Sequence, residues 1–155
     1  MTCDLWSFSL DVYSRPGVQE ACLSLQASGA NVCTLLCGAW LGCRGVRCDE
    51  SRVLEIGQLA DPWHDDVVRP LRELRVQWRD ASQVDTPLAT LRERLKALEL
   101  DAERELLGRL ERLAGGWPKE DAQHVGLWLQ KLAGPAAEQN RDALQVLRVA
   151  ASQSS

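Results

Sequence analysis

Four cysteines fall within the sixteen residues CTLLCGAWLGCRGVRC, from Cys33 to Cys48, and thiols at that density can bind metal, exchange disulfides or fill space. Cys33 and Cys37 share a face if the segment is helical. Cys43 then lies about 9 Å farther along the axis at 1.5 Å per residue, so one helix cannot gather three thiols around an ion. Cys48 follows in a turn, no CxxC pair occurs, and neither His64 nor His124 is near in sequence. The spacing predicts small buried hydrophobes, with no metal and no cofactor.

A second stretch, DPWHDD, sets Asp61 four residues before Asp65, which directly follows His64. Carboxylates at that spacing can hold magnesium against a diphosphate, but such chemistry needs a second acidic cluster across a deep cavity. Glu99 and Glu103 are the nearest candidates and form no matching motif. Helix initiation accounts for all three carboxylates: Asp61 as cap, Pro62 in the first helical position, and Asp65 and Asp66 in the opening turn, where the helix dipole favours anions.

Arg69, Arg72, Arg75 and Arg79 are spaced three, three and four apart, on one broad side of a helix opposite Val67, Leu71, Leu74 and Trp78. Only Glu73 neutralises them locally. Such a side is either solvated or the seat of an acidic partner or anion. Glu120, Asp121 and His124 stand where a helix start could orient an imidazole, but no serine or cysteine motif accompanies them, so no catalytic role is assigned. Phosphate loops, dinucleotide fingerprints and nucleophile elbows do not occur.

The elements that must position these residues are helical almost throughout. Asp4 caps a first helix with Leu5, Phe8, Ser9 and Val12 inward, and after RPG a second carries Val18, Ala21, Cys22 and Leu25 to a stop at Gly29. Val32 to Cys43 has no charged residue and is apolar on nearly every side, which marks a buried helix. Gly38 and Gly42, four apart, let a neighbour approach it closely. A weaker helix spans roughly Glu50 to Ala60, and the DPWHDD helix follows, kinked at Pro70.

Thr86 caps a long helix, about 87–114, with Leu88, Leu91, Leu95, Leu98, Ala102, Leu106, Leu110 and Leu113 on one face. Its length of about 42 Å exceeds the roughly 40 Å width expected of such a domain, so it spans the molecule, breaks near Gly108 or protrudes. Leu100 and Leu107 lie off the main stripe and widen the apolar face. Helices at Pro118 to Ala133 and from Ala136 to about Ala151 complete the chain, with 152–155 as a frayed tail. The sequence predicts an all-α single domain, residues 1–151, of about seven or eight helices around the buried segment 32–43.

The N-terminal third, DLWSFSLDVYSRPGVQEACLSLQASGANVCTLLCGAWL, resembles a proteobacterial family of short conserved-hypothetical proteins built on a domain of unknown function. The likeness rests on YxRPGVxxACLxLQ followed by GAxVxxLLxxxWL, and weakens after about residue 80, where ELDAERELL alone is similar. It implies a bacterial, cytoplasmic, helical protein and brings with it no activity, cofactor or catalytic residue. The family pattern commonly carries Asn where this chain has Cys33, which argues against a shared thiol site.

Ordinary proportions of apolar and charged residues place the chain among soluble globular proteins, and a net charge of -4 disfavours nucleic acid as a partner. The start of the chain has no leader pattern and Val32 to Cys43 is too short to span a bilayer, so a cytoplasmic location with reduced thiols is expected. Arginine supplies 15 of 18 basic residues, a bias that codon usage explains as well as anion recognition does. The functional expectation is a non-enzymatic interaction or adaptor protein. Arg69, Arg72, Arg75 and Arg79 would be its electrostatic contacts to a protein partner, with Leu100 and Leu107 a hydrophobic seam. The alternative is a binder or enzyme with a phosphate-bearing ligand between helices, and self-association through the long helix is a third reading.

Overall fold

A computed structural model describes residues 3–120 and 123–154. In chain order the helices are α1 (Leu5–Tyr13), α2 (Val18–Ala27), α3 (Val32–Cys43), α4 (Glu50–Trp63), a π turn (His64–Val68), α5 (Arg69–Gln77), α6 (Arg79–Ser82), α7 (Thr86–Ala114), α8 (Val125–Ala133), a 3-10 segment (Gly134–Asn140) and α9 (Arg141–Ser154). With α4, the π turn and α5 taken as one rod, these make the expected all-α bundle. Val46 and Lys119 meet in one isolated antiparallel bridge.

At the centre lies α3, in which every residue from Val32 to Gly42 is buried. It packs on α8, α7, α9, α1, α2 and α4. The glycines explain how α8 comes so close. A Cβ at Gly38 would collide with Leu132 Cδ1, and one at Gly42 would stand 2.6 Å from Val125 Cα. Trp128 of α8 is wholly buried and satisfies its indole N–H on the Val46 carbonyl at 2.9 Å.

Local signals act as the residues dictate at several ends. Asp4 accepts from Ser7 N at 2.7 Å, and Gly29 takes a positive φ of 93° while Ala30 N bonds back to Leu25 O. Other expectations need correction. Asp85, not Thr86, caps α7, accepting from Leu88 N at 3.1 Å. Asp61 caps nothing: α4 runs through it, with Pro62 inside the helix. The helix expected from Pro118 begins only at Val125, and α9 continues to Ser154 where a frayed tail was expected. Arg15 holds that end, donating to Gln153 O at 2.7 Å and Ser154 Oγ at 3.2 Å.

The long helix α7 is unbroken at Gly108 and its two halves have different surroundings. From Leu95 onward Leu106, Leu107, Leu110 and Ala114 enter the core, whereas nothing between Thr86 and Arg94 is buried. Helices α5 and α6, which also bury no residue, lie along α7 from that end to about residue 100, where Arg72 and Arg75 reach Glu99. Together they form a helical hairpin reaching out from the bundle. Among the described residues no helix is long and apolar enough to cross a membrane.

Candidate functional site

The π turn decides which side chains α5 presents. Pro70 has no N–H and its ring crowds the carbonyl four residues back, and the backbone answers with one wide turn in which Arg69 N bonds His64 O. The extra residue rotates everything downstream by roughly 100° relative to an uninterrupted α-helix. Ile56 and Ala60 are buried before the turn. An unbroken 3.6-residue repeat would carry that face through Val67, Leu71, Leu74 and Trp78. Beyond the turn the inward positions are instead Val68, Arg72 and Arg75.

Of the four arginines on the side expected to be solvated or partner-facing, Arg72 and Arg75 therefore turn partly inward. Arg72 Nε donates to Glu99 Oε2 at 3.1 Å, and Arg75 donates to the same carboxylate through Nε at 2.5 Å and Nη2 at 3.3 Å. Glu99 is 6% exposed. From α7, Arg92 Nε reaches back to the Arg75 carbonyl at 2.9 Å. Arg69 and Arg79 remain at the surface, Arg69 pairing with Asp65 at 3.3 Å and Glu73 at 3.9 Å. Leu71 and Trp78 are only partly covered and Leu74 is exposed, so the expected core stripe does not form.

Glu103, one turn beyond Glu99, extends this polar seam. Burial pushes its carboxyl above the usual range, and the nearby Arg72 only partly offsets that. Sequence reasoning had noted both glutamates but missed their role. The available signal was that Glu99 shares the helical face of Leu95, Ala102 and Leu106, where an acid has to find buried partners.

Of the other hydrophobic candidates, Leu100 is exposed, but Leu107 is 3% exposed and belongs to the core. They form no seam, because the bundle encloses the half of α7 that carries Leu107. The outer hairpin exposes further leucines on α7. Leu91 and Leu98, seven apart and so on one face, are about half exposed.

A cavity of about 680 Å³ opens where α2, the start of α3, α4, the π turn and the 3-10 segment meet. It brings Asp61, His64, Asp65, Arg69 and Arg72 to one place, and adds Asn31, Thr34 and Lys131, which the sequence reading did not single out. Trp63 anchors the turn beside it, its indole N–H on Ala102 O at 2.9 Å and its ring under the Arg109 guanidinium at 4.0 Å. Burial, with Arg72 adding to it, pushes the His64 imidazole below its ordinary value, so the ring favours the neutral form.

The thiols sit apart from this cavity's chemistry. Cys22, Cys33 and Cys37 are buried, and burial pushes Cys22 and Cys37 up to about 12. Cys33 is raised further for the same reason. Cys43, half-buried, donates to Ala151 O at 3.3 Å. Among the described residues no group of three or more His, Cys, Asp or Glu side chains is placed to hold a metal ion. Of the remaining trio, Glu120 lies in the loop before α8, His124 precedes Val125, and Asp121 lies outside the described residues. Glu120 and His124 share no helix start.

A family model described as a protein of unknown function, DUF2390, matches residues 4–110. The chain belongs to the DUF2390 family. In this DUF2390 protein the match takes in the π turn, the arginine–glutamate seam and the cavity walls from α2 to the π turn. Lys131 and the 3-10 segment on the cavity's far side come from beyond it. No curated protein and no solved structure matches the DUF2390 chain.

Proposed function

We propose that this chain is a non-enzymatic helical interaction protein that docks a protein partner on the outer α5–α7 hairpin. One observation carries the reading: the hairpin holds six of the twelve exposed large apolar side chains of the described residues, Leu74, Val76, Val84, Leu91, Leu98 and Leu100. Isolated exposed leucines are ordinary, but their concentration on a projecting element that adds little to the core marks an interaction surface. The π turn contributes by putting Arg72 and Arg75 on the inner side of α5, which leaves Leu74 exposed. Charges of both signs surround them, and the whole chain carries -4, which favours a protein partner over nucleic acid.

The arginine contribution expected from sequence narrows to Arg69 and Arg79, since Arg72 and Arg75 are held by Glu99. A photoreactive residue at Leu91 or Leu98 should crosslink in cells to one discrete protein, and the same residue at Leu54, exposed on α4, should not. An adduct of twice the chain's 17.2 kDa would identify the partner as a second copy. Equal labelling at Leu54, or none on the hairpin, would refute the reading.

A further inference from the structure

The cavity beside the π turn shares only Arg69 with the contacts assigned to the hairpin surface, and its free donors have a common preference. Asn31 caps α3 through Oδ1, which accepts from Cys33 N at 3.0 Å, while its Nδ2 is buried with no hydrogen-bond partner. A buried amide donor left unpaired is costly, and such a group is commonly satisfied by water, an ion or a ligand. Arg72 hydrogen-bonds through Nε alone, so its terminal nitrogens are unspent. Lys131 Nζ is 3.6 Å from Glu50, whose side chain is almost wholly exposed, a weak pair that a ligand can displace. The first turn of α3 also opens onto this space through Asn31 and Thr34, adding the positive end of a twelve-residue helix.

We infer that the cavity binds the oxyanion group, phosphate or carboxylate, of a small ligand, held by Asn31 Nδ2, the Arg72 guanidinium and Lys131. A volume of about 680 Å³ accommodates a metabolite-sized molecule. Asp65 is neutralised by Arg69, whereas Asp61 lines the cavity without a basic partner among the described residues. Asp61 therefore weakens the pull on an anion without cancelling the three donors. The site lies next to a π turn, a backbone irregularity frequent at functional positions.

Calorimetric titration with inorganic phosphate, pyrophosphate and citrate tests this, the three probes separating phosphate from carboxylate preference. One saturable site is expected for at least one of them. Asn31→Asp keeps the cap on Cys33 N and places a favourable charge at the helix start, so the fold is retained, but it replaces the donor with an acid and should weaken binding at least tenfold. Asp61→Asn should tighten binding several-fold, and Arg94→Gln, exposed and outside the cavity, should leave it unchanged. Absence of saturable binding by all three probes would overturn the inference. So would unaltered affinity in Asn31→Asp and Asp61→Asn, or loss in Arg94→Gln equal to that in Asn31→Asp.

Discussion

Arg75 places its Nε 2.5 Å from Oε1 of Glu99, and the glutamate it grips is the one buried charged side chain among the described residues. Arg72 reaches the other oxygen, so one carboxylate answers two guanidiniums that keep only about a quarter of their side-chain surface in water. Removing the acid alone leaves two poorly solvated cations facing each other. Glu99→Leu should cost about 2–3 kcal/mol in urea unfolding, below the full range for a buried pair because the arginines are part-exposed. Replacing all three, Glu99→Leu with Arg72→Met and Arg75→Met, should recover most of that loss. A change under about 0.5 kcal/mol for Glu99→Leu alone would mean that water reaches the seam freely.

Glycines in two helices should respond oppositely to alanine. At Gly42 the new methyl would press on the Val125 backbone, which cannot rotate away, so Gly42→Ala should destabilise by about 1–3 kcal/mol. At Gly108 it would meet only the end of the flexible Arg112 side chain, at 3.4 Å. Gly108→Ala should therefore stabilise by about 0.5–1 kcal/mol through helix propensity. Denaturation of the two variants side by side measures both signs, and equal responses would contradict the close α3–α8 packing.

The difference between those glycines shows what could be read from residue order. Gly38 and Gly42 sit in a segment apolar on all sides, and no helix of that kind is stable unless covered, so both burial and close approach follow from composition. The orientation of Arg72 and Arg75 does not, because it depends on a single extra backbone residue between His64 and Val68. Pro70 announces a disturbance there without saying whether it kinks, breaks or widens the helix. Leu107 was misplaced for another reason: periodicity gives a helix its faces, but which half of α7 is enclosed depends on where distant helices end. The cavity was legible only on one side, since Asn31 and Lys131 are 100 residues apart.

Glu103 gives the fold a definite pH dependence. Its burial raises the folded-state pKa above the unfolded value, so the folded chain holds this proton more tightly. The resulting stabilisation is complete below the ordinary glutamate range and is lost as pH rises through the folded value. Glu103→Gln keeps the neutral shape and cannot lose the proton. Its melting temperature should exceed that of the parent at neutral pH and converge with it in mild acid. Parallel curves across that interval would show that Glu103 is solvated in the folded state.

Thiol chemistry offers an independent check on the centre of the bundle. Alkylation requires thiolate, and burial disfavours it at Cys22, Cys33 and Cys37 while also blocking access to reagent. Cys3 is exposed on the chain's outer surface. Iodoacetamide at pH 7.5, followed by peptide mass analysis, should modify Cys3 within minutes and leave these three intact. Raising the pH to 9 should scarcely affect the buried three, because they remain far below their own titration and covered by side chains. Denaturant should equalise all four. Rapid native labelling at Cys33 or Cys37 would mean that α3 is reached by solvent, and a helix with no charged residue from Val32 to Cys43 could not then sit where this bundle puts it.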